Sequence, residues 1–245
     1  MIKRGQVTIF IIVGIIIASV VLIYLIVARP EFTDSQKGRP GFEGCVEDSL
    51  EVAINELALN GGYINPDFFY LYLGQEIPYL CYTNEFYDTC VVQEPFLKQH
   101  FEKNIKSRIS KNVEECYKNS IDELRSRGLE VSEGSVDFDV AIRPSEVNVT
   151  INAPTNIGTS SFKKFNAKVN SPIYDMLMIS TSILQYETKL GDSDISSLMA
   201  VYPDYIINKL KQGDGTKIYV IESKVYETKF QFASRSLAWP AGYDI

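Results

Sequence analysis

An uncharged run of 22 residues, from 7 to 28, constrains this 245-residue chain more than any other feature. At helical rise it reaches roughly 33 Å, against a bilayer hydrocarbon core of ~30 Å, which predicts one membrane-spanning helix. Lys3 and Arg4 precede the run, Arg29 closes it, and acidic residues begin at Glu31. The excess of positive charge before the run keeps the N-terminus cytoplasmic and sends the remainder across the membrane. The small residues Ala18 and Ser19 lie in the middle of the run, so an ordinary secretory cut does not fit. Setting Lys3 and Arg4 aside takes the formal charge from −7 to −9, which argues against nucleic acid as a partner.

The stretch Lys3-Arg4-Gly5-Gln6-Val7-Thr8-Ile9-Phe10 resembles the class III signal peptides of archaeal type IV pilin-like proteins. The resemblance covers the first 28 residues. It implies that a prepilin-type leader peptidase cuts between Gly5 and Gln6, leaving the apolar helix as a membrane anchor and, in a filament, as part of its core. Phe10 stands where many pilins carry Glu, and Pro30, Gly38, Pro40 and Gly41 interrupt the helix that pilins usually continue into the head. The competing expectation is an uncleaved signal anchor in which Lys3 and Arg4 only set topology. Gly14 and Ala18 share one helix face, a small-xxx-small spacing that permits close helix packing or self-association, or simply dilutes an Ile-rich run.

These features divide the chain into a leader (1–5), a transmembrane helix (6–29), a linker rich in helix breakers (30–43) and an ectodomain beginning near Gly44. Two ectodomain subregions are expected, a helical one at 44–129 with an aromatic loop and an α+β one at 130–245. In the first, residues 45–60 and 95–127 carry apolar stripes at helical spacing, among them Val46, Leu50, Ile54 and Leu57, then Leu97, Phe101, Ile105 and Ile109. The segment 63–87 between them holds nine aromatics. Core filling around a stapled loop is the first reading of that density, with a sugar-stacking platform or an insertion into a neighbouring subunit as the functional ones.

All four cysteines, Cys45, Cys81, Cys90 and Cys116, lie beyond the apolar run, where the compartment can be oxidising. Four cysteines allow three pairings. Cys81 with Cys90 staples a short loop, and Cys45 with Cys116 joins the two helices. A zinc site is disfavoured because the spacings of 36, 9 and 26 residues contain no close pair and His100 is the only histidine.

In the second subregion, Val136, Phe138, Val140 and Ile142 alternate with polar or small residues, as do Val147, Val149 and Ile151. With Pro144-Ser145 between them they predict a β-hairpin with one buried face. A third strand is expected at 160–169, a helix from Ser171-Pro172, a second helix capped at Ser193 or Asp194 and kinked or restarted at Pro203, and strands at 216–224 and 225–233. The predicted whole is an antiparallel sheet with helices on one side.

Asn148-Val149-Thr150 is a glycosylation sequon on the polar hairpin face. The pairs Asp137/Asp139 and Asp192/Asp194 are read as a solvated strand face and a helix cap. No phosphate loop, nucleophile turn or paired histidine occurs, so neither catalysis nor a cofactor is expected. The expected protein is a processed, membrane-anchored surface protein with a structural or adhesive role. Its partners would be the membrane, the leader peptidase, further copies of itself or other surface proteins. An uncleaved tethered binding protein is the alternative.

Overall fold

A computed structural model of the chain describes residues 17–19 and 39–238. Pro40–Ile245 forms one compact unit, separate from Met1–Arg39. Residues 17–19 are helical and exposed, so Ala18 lies on a helix, while Lys3, Arg4, Gly5, Gln6 and Gly14 lie outside the described residues. The remainder of the predicted membrane segment lies outside them too. Among the described residues, no helix is long and apolar enough to cross a membrane.

The compact unit starts earlier than the expected boundary near Gly44. Pro40 is buried and Phe42 is 1% exposed, with its ring 5.4 Å from Tyr117 and 4.9 Å from Phe165. The Gly41 N–H donates to Ser120 Oγ at 3.1 Å. The last residues of the predicted linker are therefore core.

Helix α1 (Glu43–Leu59) buries Val46, Leu50, Ala53, Ile54, Leu57 and Ala58, the i, i+4, i+7 stripe of an amphipathic helix. Helix α2 (Leu97–Ser126) buries Leu97, Phe101, Ile105, Ile109 and Val113 and then Cys116, Tyr117 and Ile121. The two pack together and are joined by Cys45–Cys116, with Cα atoms 5.9 Å apart.

The segment between them is not only helix and loop. Strands β1 (Phe69–Tyr72) and β2 (Gln75–Tyr82) form a hairpin, and β3 (Val91–Val92) returns to pair with β2, held by Cys81–Cys90. Both disulfides thus join the pairs expected from the sequence, and no cysteine is free.

Four strands follow α2. Strand β4 (Val131–Glu133) and β5 (Asp137–Arg143) both pair with β6 (Glu146–Ile157), and β7 (Ser160–Asn170) pairs with β6 as well, all antiparallel. The hairpin turn falls at Pro144-Ser145, with Ser145 at φ 67°. Val147, Val149, Ile151 and Ala153 are fully buried between more exposed Asn148, Thr150 and Asn152, the period-two pattern of a half-covered sheet.

Helices α3 (Ile173–Leu190) and α4 (Ile195–Val201) come next. They lead into β8 (Tyr205–Lys211), β9 (Thr216–Ser223) and β10 (Lys229–Arg235). The second sheet runs β1-β2-β10-β9-β8, with β3 added to β2. Its β2–β10 pairing is parallel and the rest antiparallel.

Three expectations change here. The α+β class stands, but the single antiparallel sheet is two sheets, one of them mixed. The helix expected to kink or restart at Pro203 instead ends at Val201 and gives way to a turn and then β8, because Tyr205–Lys211 finds a full antiparallel partner in β9. The division between 44–129 and 130–245 does not separate two cores: β2 is an interior strand beside β10, and one buried cluster includes Leu50, Ile105, Val149, Ile183 and Phe232.

Candidate functional site

The most densely organised polar site lies where α3 crosses the inner face of the mixed sheet. Ile173, Met176, Leu177, Ser180, Ile183 and Leu184 form the buried stripe of α3, and Glu187 is the next residue on that stripe. Its side chain is therefore carried into the core and is 0% exposed. A buried carboxylate is costly unless charge and hydrogen bonds compensate it. Strands β9 and β10 supply both.

Alternation along β9 places Lys217 and Tyr219 on the face toward α3. Lys217 Nζ lies 2.9 Å from each Glu187 oxygen, and the Tyr219 hydroxyl donates to Oε1 at 2.5 Å. From β10, Ser234 Oγ donates to Oε2 at 3.0 Å. Burial, then the charge and hydrogen bond of Glu187, push the Tyr219 phenol far above its usual range, so it stays a neutral donor.

The helix end extends the cluster. α3 stops at Gly191, whose φ of 76° is a left-handed C-cap, and this turn brings Asp192 back beside the lysines. Lys217 Nζ also donates to the Gly191 carbonyl and lies 3.3 Å from Asp192 Oδ1. Lys209 of β8 reaches both Asp192 oxygens at 2.9 Å and the Ser193 carbonyl at 2.8 Å. Burial pushes the Asp192 carboxyl up, but hydrogen bonds and charge from Lys209 and Lys217 outweigh it and hold the group below its usual range. Two ammonium groups and two carboxylates thus share one site. Ser193 Oγ is buried with no hydrogen-bond partner.

The Cys81–Cys90 disulfide borders this site. Cys90 Sγ is 3.6 Å from Ser234 Oγ, the Cys90 N–H donates to Ser236 Oγ at 3.2 Å, and Ser236 Oγ donates to the Glu187 carbonyl at 3.3 Å. The loop staple and the charge cluster therefore share two serines.

Sequence reading missed Glu187, Lys209 and Lys217. The available signal was Glu187 itself, an acid occupying the position that continues an otherwise apolar helix stripe. Nothing along the chain pairs it with a lysine 30 residues later.

The residues singled out from the sequence are placed as follows. Asp194 caps α4, accepting from the Ser196 N–H at 2.9 Å, and Asp192 belongs to the cluster above. Asp137 and Asp139 are exposed and face Lys106 at 3.5 and 3.2 Å. Asn148 sits half-buried in mid-strand between β5 and β7, with its Oδ1 buried and without a hydrogen-bond partner.

The aromatic segment splits in two. Phe68, Tyr79 and Tyr82 pack on one another at 4.6–4.9 Å, two of the contacts edge-on, and Tyr79 shares a 2.8 Å hydrogen bond with Thr216 Oγ1. Tyr79 belongs to the small buried cluster on the outer sheet face and Tyr82 packs against it, while Phe68 is 46% exposed, and the edge-on rings present no coplanar surface for a sugar. Leu73, Phe86 and Tyr87 are 88%, 73% and 78% exposed.

Among the described residues, no group of His, Cys, Asp and Glu is arranged to hold a metal ion. Comparison with protein-family models, with curated proteins and with solved structures finds no match, so the chain's chemistry is read from its own residues.

Proposed function

We propose that the chain is a single-pass membrane-anchored surface protein, cut between Gly5 and Gln6 like an archaeal prepilin, whose extracytoplasmic head has a structural or adhesive role. The observation that carries this reading is the pairing of all four cysteines as Cys45–Cys116 and Cys81–Cys90. Such bonds persist in oxidising compartments, which agrees with a head on the far side of the apolar run. Exposed Leu73, Phe86 and Tyr87 supply apolar contact area of the kind partner surfaces use. The helix breakers Pro30, Gly38, Pro40 and Gly41 favour a second reading, an uncleaved and singly tethered binding protein.

N-terminal peptide and intact-mass analysis of protein from its native membrane, before and after mild shear of the cell surface, separates the two. A chain beginning at Gln6 and released by shear as high-molecular-weight material supports the pilin-like subunit. A chain that keeps Lys3-Arg4-Gly5 and stays with the membrane replaces it with the tethered protein.

A further inference from the structure

We propose that Lys217 and Asp192 condense to an intramolecular amide, with Glu187 as the base, forming a covalent cross-link between β9 and the end of α3. The inference does not depend on where the chain resides.

Three groups hold the positions such a reaction needs. Lys217 Nζ is the nucleophile, its side chain only 9% exposed and 3.3 Å from Asp192 Oδ1. Glu187, at 2.9 Å by both oxygens and fully buried, takes the ammonium proton. Its own position is fixed by Tyr219 and Ser234. Lys209 donates to both oxygens of Asp192 at 2.9 Å and so offsets the negative charge that develops when its carbonyl carbon becomes tetrahedral.

The atoms balance without any co-reactant. Glu187 relays the Lys217 ammonium proton to the Asp192 carboxylate, so that a free amine meets a neutral acid and the two become an amide and one water. A C–N bond forms, one Asp192 C–O bond breaks, and both hydrogens of the water come from Lys217 in transit through Glu187, which ends as it began. Condensation is favoured electrostatically: it replaces one of two crowded ion pairs, which share the buried Glu187 and Lys217 and the 30% exposed Asp192, with a neutral amide and leaves the Lys209 and Glu187 charges to balance each other. Proximity does the rest, because reactants held in contact no longer lose translational freedom to meet.

Peptide mapping of the full chain after reduction and alkylation tests this. The expected result is a branched species joining the Lys217 and Asp192 peptides, lighter than their sum by one water, with trypsin unable to cut after Lys217. Lys217→Arg and Asp192→Ala should lose the branch, and Glu187→Gln should lose or greatly slow it. A wild-type chain that cleaves normally at Lys217 and shows no branched species overturns the proposal, as does a branch mapped to Lys209 or to Glu187. The wild-type measurement decides the matter even if the variants fail to fold.

Discussion

His100 has both ring nitrogens engaged. Asn104 Nδ2 donates to Nε2 at 2.9 Å and to the Gly62 carbonyl at 2.8 Å, while Nδ1 faces Glu94 at 3.4 Å. An accepting Nε2 requires the neutral ring, since a proton there would point at the hydrogens of Asn104. Burial lowers the His100 pKa most, Glu94 raises it in part, and Lys103 lowers it again, leaving it below the ordinary value. The unfolded chain therefore takes up a proton first as pH falls through about 6.5, and folding stability drops from there down to the folded-state pKa. Denaturant midpoints measured at about pH 7.5 and about pH 5.5 should fall more steeply for the wild type than for His100→Gln, whose position cannot titrate. Equal slopes would show that the ring is not held neutral. At this scale the sequence was partly legible. A lone histidine on the long helix could be seen, but its neighbours Gly62 and Glu94 come from other segments. Glu187 is the sharper case, visible as an acid on an apolar stripe while its three partners on β9 and β10 were not.

Local elements were readable where one physical signal governed them. The β5–β6 hairpin follows strict alternation with a turn at Pro144-Ser145, and α1 and α2 follow helical stripes. Strand β8 was missed because Ile206 and Ile207 break alternation and the strand lies at a sheet edge, with Ile206 and Leu210 about 40% exposed. The β1–β2 hairpin was missed because its turn uses the wrong residue. Tyr72 pairs with Gln75 across a two-residue loop, and Leu73 and Gly74 have φ of 49° and 83°. Both central positions of such a turn are left-handed, which favours Asn-Gly. Leucine there suffers a Cβ clash and, at 88% exposure, gains almost no packing in return. Leu73→Asn is accordingly expected to stabilise the head by about 1 kcal/mol, read from the denaturant midpoint. A loss of stability would mean that Leu73 is covered by something in the folded protein, which is where a self-association surface would be sought next.

Over the whole head, topology sets how the staples act. Strand β2 is separated from β10 by about 150 residues yet pairs with it in parallel, a contact that no local pattern announces. It ties the segment between α1 and α2 into the sheet made by the last three strands, so the head should unfold in one transition rather than two. The disulfides then differ by loop length. Cys45–Cys116 spans 71 residues and Cys81–Cys90 spans 9. Chain-entropy arithmetic assigns them about 4.4 and about 2.6 kcal/mol respectively, by restricting the unfolded chain. The double variant Cys45→Ala/Cys116→Ala should therefore lose more stability than Cys81→Ala/Cys90→Ala, with a single denaturation transition in each. The short bridge has one competing contribution, because Cys90 contacts Ser234 and Ser236, which hold Glu187. If the order of the two variants reverses, support of the buried charge cluster outweighs loop closure, and the Cys81–Cys90 staple serves chiefly to keep Glu187 in place. If two transitions appear, β2 does not couple the segment between α1 and α2 to the last three strands, and the head unfolds in independent parts.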